Sequence, residues 1–112
     1  QFDINLSLYN AELGFPGGFV VFENYGHGGV LVYNLDGTNY LAYDLACPHL
    51  NLEECGVPMR ADASTLPSVI CDCDEGDVVY NVLNPTAEVN GIVYNMQQYF
   101  AVVGGGRVRI TN

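Results

Sequence analysis

The chain predicts an all-β fold built from small antiparallel sheets. Short apolar runs rich in β-branched and aromatic residues recur along it, among them Phe19–Glu23, Val30–Asn34, Tyr40–Leu45 and Tyr99–Val103. Clusters of Gly, Asn, Asp and Pro separate these runs and mark turns. No apolar pattern holds a 3.6-residue period beyond about two turns, so no long amphipathic helix is expected.

Taken in order, Phe2–Leu8 alternates apolar and polar residues and reads as a half-buried strand. Tyr9–Gly18 is a loop with room for a helical turn near Ala11–Leu13. Phe19–Glu23 is a strand, and the glycines of Asn24–Gly29 turn the chain. Asp36-Gly37, between Val30–Tyr33 and Tyr40–Tyr43, predicts a tight hairpin with both central residues at positive φ. The strand Tyr40–Leu45 then runs straight into Cys47. Asn51–Thr65 is polar, contains Pro58 and shows no period. Ser68–Ile70 is a short strand feeding Cys71, and Asp77–Val82 is the return strand. Asn84-Pro85-Thr86 is a turn, and Gly91–Asn95 is a further short strand. Tyr99–Val103 and the alternating Val108 and Ile110, joined by Gly104–Gly106, form a terminal hairpin.

The composition fits one domain over residues 1–112, with enough apolar residues (49%) to form a core. A net charge of −10 disfavours nucleic acid and anionic lipid as partners; it suits a basic partner, but simple solubility accounts for it more readily. No apolar run approaches the roughly 18 residues of a membrane span. The triplet Asn5-Leu6-Ser7 matches a glycosylation sequon by form alone.

All the chemistry gathers in one window. Cys47, Cys55, Cys71 and Cys73 are the only cysteines, and they lie with His49 between Cys47 and Asp74. Soft ligands in two short turns, with strands before and after, point to a metal or disulfide site at the end of a β scaffold. The pattern resembles the Rieske iron–sulfur family. Cys47-Pro48-His49 matches that family's first loop, Cys-x-His. Cys71-Asp72-Cys73-Asp74 matches the second, Cys-x-x-His, with Asp74 in the place of the histidine. The 21 residues from Leu50 to Ile70 separate the loops by more than is common in the family.

The resemblance implies stacked antiparallel sheets with two site loops, about 46–56 and 70–77, at one tip. It implies a [2Fe–2S] cluster held by Cys47, His49, Cys71 and Asp74, serving electron transfer or redox sensing with a redox or other protein partner. A carboxylate at Asp74 adds negative charge and favours ferric iron, so the potential is expected to fall below the family's range. The positions of Cys55 and Cys73 match the disulfide that ties the two loops in respiratory members. If the altered ligand set holds no cluster, Cys47 and Cys71 are expected to bridge as well. The chain is then a disulfide-stapled β domain, an exported binding or structural module. Small Rieske-like domains occur among exported lipoproteins of Gram-negative bacteria. That implies a periplasmic or outer-membrane location, with a lipid anchor upstream of residue 1 as one arrangement.

Zinc suits the motif less well, because structural zinc ligands are usually paired two to four residues apart, and here the spacing is one. No nucleophile–base pair and no phosphate-binding loop is legible, so no enzyme is expected. His27, among glycines, reads as a turn residue.

Overall fold

The computed structural model describes residues 1–50, 55–73 and 78–112. Its elements are β1 (Phe2–Asn5), the helical turn α1 (Asn10–Leu13), β2 (Phe19–Phe22), β3 (Val30–Asn34), β4 (Tyr40–Asp44), β5 (Ser68–Cys71), β6 (Val78–Asn81), β7 (Thr86–Val89), β8 (Ile92–Asn95), β9 (Gln98–Gly104) and β10 (Arg107–Thr111). The protein is all-β. A curled six-stranded sheet runs in the order β1-β10-β9-β4-β3-β2, and β5-β6 and β7-β8 form separate two-stranded sheets. Every pairing is antiparallel.

The hairpin β3–β4 is the partition on which the rest is built. All five residues of β3 are buried, which explains why its sequence is a continuous apolar run rather than an alternation. Val30 and Val32 face one core, with Ala42, Ile4, Leu13, Val108 and Ile110. Leu31 and Tyr33 face the other, with Tyr43, Leu45, Val69, Tyr80, Val82 and three of the cysteines. Residues of β2 divide in the same way, Val20 and Phe22 to the first core and Phe19 and Val21 to the second. The first core fills the hollow of the curled sheet. Its two edge strands approach through rings: Phe2 of β1 lies 5.3 Å from Phe22 of β2 and stacks on Tyr25 at 4.0 Å.

Three local expectations are corrected. Strand β1 ends at Asn5, where the Asn5 side chain accepts from the Ser7 amide and turns the chain, leaving Leu8 exposed. The connection between β3 and β4 is not a two-residue turn. It spans residues 35–39, closed by the Leu35 N–H to the Asn39 carbonyl at 2.8 Å. Only Gly37 has positive φ (98°); Asp36 instead accepts from the Thr38 and Asn39 amides and the Asn39 carboxamide. The Asn39 carboxamide and those amides pull the Asp36 carboxyl down to about 2. Third, the chain beyond Pro85 is strand rather than turn. Thr86–Val89 pairs with β8 around Asn90-Gly91, both at positive φ (53° and 82°), which is a two-residue hairpin turn.

Candidate functional site

Two strand ends bring the cysteines together. Cys47 follows β4 directly, because Asp44, the last residue of that strand, caps the turn after it. Buried Asp44 accepts from the amides of His27 (2.7 Å), Gly28 (2.9 Å) and Ala46 (2.8 Å) and from the Tyr99 hydroxyl (2.7 Å). Burial pushes the Asp44 carboxyl up, but these four donors outweigh it and hold the group below its ordinary value. Burial, with the carboxylate's negative charge beside it, raises Tyr99 well above the normal phenol range. His27 thus contributes a backbone N–H. Gly28 lies so close to Ala46 that a Cβ would fall 2.6 Å from the Ala46 nitrogen. Only glycine lets this turn press on the start of the Cys47 loop.

Cys71 is the last residue of β5, paired with Val78 of β6. The segment 55–61 is tied to the scaffold by Met59 N–H to Leu45 O (2.7 Å) and by an antiparallel bridge between Arg60 and Ile70. These contacts place Cys55 against the second loop.

All four cysteines are paired at disulfide distance. Cys47 and Cys71 have Sγ–Sγ 2.12 Å and Cα–Cα 5.8 Å. Cys55 and Cys73 have Sγ–Sγ 1.93 Å and Cα–Cα 5.7 Å. The pairs interleave along the chain, in the order 47, 55, 71, 73. Cys47, Cys55 and Cys71 are 4%, 5% and 1% exposed and belong to the second core, while Cys73 is half-buried at its edge. His49 lies beside the first pair, with Nδ1 at 3.2 Å from the Cys47 sulfur and 3.2 Å from the Tyr80 hydroxyl. The Tyr94 ring, 5.9 Å away, flanks it.

Of the four expected cluster ligands, the fold thus brings together Cys47, His49 and Cys71, whose ligand atoms lie within 4.8 Å of one another. Asp74 lies outside the described residues, as do Glu53, Glu54, Glu75 and Asp77, acidic residues near it in the sequence that would lower the potential of a cluster further. A Rieske-type [2Fe–2S] cluster needs Cys47 and Cys71 as two separate thiolates on one iron. Two sulfurs joined to each other do not supply them, so in this paired state the residues do not fit the cluster.

Sequence reasoning missed Asp44 and Gly28. No local motif marks either of them, because their roles come from contacts between β4 and the turn at 26–28. A groove of 820 Å³ borders this region, lined by Val21, His27, Leu45, Cys55, Pro58 and Met59 among others. Among the described residues no helix is long and apolar enough to cross a membrane. No protein-family model, curated protein or solved structure matches the chain.

Proposed function

We propose that the protein is a cluster-free, disulfide-stapled β domain of Rieske-like design, acting as a binding or structural module in an oxidising, extracytoplasmic compartment. One observation carries this reading. The two cysteines that a cluster would need as thiolates are paired with each other inside an apolar core. A second pair beside them is closed too, and paired cysteines persist where thiols are not kept reduced. This is compatible with export, and the resemblance to exported bacterial lipoproteins supports a periplasmic or outer-membrane setting.

The second reading is an electron carrier or redox sensor with a [2Fe–2S] cluster on Cys47, His49, Cys71 and Asp74. What favours it is the convergence of three of those side chains at one point. The two readings separate in one experiment. Protein purified without oxygen is assayed for iron, sulfide and free thiols, beside the variant Asp74→His. The cluster-free reading expects a colourless wild type with no titratable thiol, and more iron taken up by reduced Asp74→His than by reduced wild type. Two irons and two sulfides per wild-type chain would establish the carrier instead.

A further inference from the structure

A second group of ligand atoms lies beside the first. The sulfurs of Cys55, Cys71 and Cys73 are all within 4.8 Å of one another. This triad contains neither His49 nor Asp74, and it joins both sulfurs of the Cys55–Cys73 pair to one sulfur of the Cys47–Cys71 pair. We propose that reduction turns it into a binding site for one soft d10 cation of the zinc, cadmium or copper(I) class, held by the thiolates of Cys55, Cys71 and Cys73. The inference does not rest on the cluster-free reading: the two sites share Cys71, but Cys55 and Cys73 are cluster ligands in neither reading.

The geometry is close to what such an ion needs. A metal–sulfur bond of about 2.3 Å places sulfurs that share an ion roughly 3.8–4.0 Å apart. The triad therefore has to close by less than about 1 Å at its widest. Cys55 and Cys73 must part from bonding distance, and with Cα atoms 5.7 Å apart this takes side-chain rotation alone. An all-sulfur donor set selects soft d10 ions over magnesium or calcium. The backbone under it is fixed at two of three positions, by the β5–β6 ladder at Cys71 and by the Met59–Leu45 hydrogen bond near Cys55. Half-buried Cys73 leaves an entrance.

The chemistry balances as follows. Each disulfide takes up two electrons and two protons and becomes two thiols. A phosphine supplies the electrons and leaves as its oxide, its oxygen coming from water. The incoming cation displaces three thiol protons to solvent, and Cys47 remains a thiol next to His49.

The test uses the full chain, reduced with a water-soluble phosphine under nitrogen and titrated with Cd²⁺ and Zn²⁺. The ultraviolet thiolate-to-cadmium band reports ligation, and near-ultraviolet circular dichroism reports the fold. We expect one ion per chain. Cys55→Ser and Cys73→Ser should each weaken binding by more than the roughly 10–100-fold that loss of an outer-shell partner costs. His49→Ala, Asp74→Ala and Cys47→Ser should leave it within about threefold, with Cys47→Ser showing that the triad suffices. If reduction loosens the fold, the cation should restore the near-ultraviolet signal. The proposal is overturned by absence of the band, by a loosened fold that the cation does not restore, or by a reversed pattern in which His49→Ala and Asp74→Ala weaken binding while Cys55→Ser does not.

Discussion

At 1% exposure, Asp44 is a buried carboxylate surrounded by donors from three parts of the chain: the turn at His27 and Gly28, the site loop at Ala46, and Tyr99 of β9. Because these donors hold its carboxyl below its ordinary value, the anion stabilises the fold. That contribution is fully present above the unfolded value and is lost as pH falls through the lower folded one. Asp44→Asn puts an N–H where an acceptor is required and should cost roughly 2–3 kcal/mol. Urea unfolding near neutral pH measures the loss, and the gap between wild type and variant should narrow in acid. The cysteines and His49 were legible one by one, as a Cys-x-His followed by a second cysteine cluster. Asp44 was not, because an acid at a strand end acquires its role only when Gly28 and Tyr99 arrive from elsewhere.

Among elements, the turn at residues 26–28 and the hairpin β7–β8 teach different lessons. Gly28→Ala would drive a methyl group to 2.6 Å from the Ala46 nitrogen. We expect an overpacking loss of roughly 1–3 kcal/mol, read as a lower urea midpoint with both disulfides retained. Gly91 has open space around it but a φ of 82°, so Gly91→Ala should cost about 1–2 kcal/mol through backbone strain alone. Strands β2 to β4, β9 and β10 were readable from their apolar runs. Strand β7 was not: Thr86–Val89 alternates polar and apolar residues but is only four residues long, and Asn84-Pro85 before it suggested a turn. Its pairing signal was Asn90-Gly91, a dipeptide suited to a two-residue hairpin. The loop at 35–39 errs the other way, since Asp36-Gly37 offers the same type of signal. There the Asp36 side chain binds the Thr38 and Asn39 amides and favours a wider loop.

For the whole molecule, the interleaved cross-links decide how it unfolds. The pairs span sequence separations of 24 and 18 residues, so each should contribute about 3 kcal/mol on the chain-entropy account. Because the loops overlap between Cys55 and Cys71, the two contributions should not add. Removing the Cys55–Cys73 pair as Cys55→Ala with Cys73→Ala should lower stability by about 3 kcal/mol, and also removing Cys47 and Cys71 should cost less than a second such step. Calorimetry of the double and quadruple variants checks this. The curled sheet with two small sheets follows from pairings far apart in sequence, such as β4 with β9 and β1 with β10. Strand runs announce themselves locally, but their partners are set by which faces must be buried. Here that choice is made by β3, which has two buried faces.

The same β1–β10 seam sets the mechanics of the domain. Phe2 pairs with Ile110 and Asn5 with Arg107, so Gln1 and Asn112 emerge side by side from neighbouring antiparallel strands. On its other flank β1 meets Phe22 and Tyr25 through rings. Tension applied between the two ends therefore loads this ladder one rung at a time, beginning at Phe2–Ile110, instead of shearing all rungs together. The domain should yield like a zip at its ends under modest force, while the cross-linked region from Cys47 to Cys73 bears load through covalent bonds and does not extend.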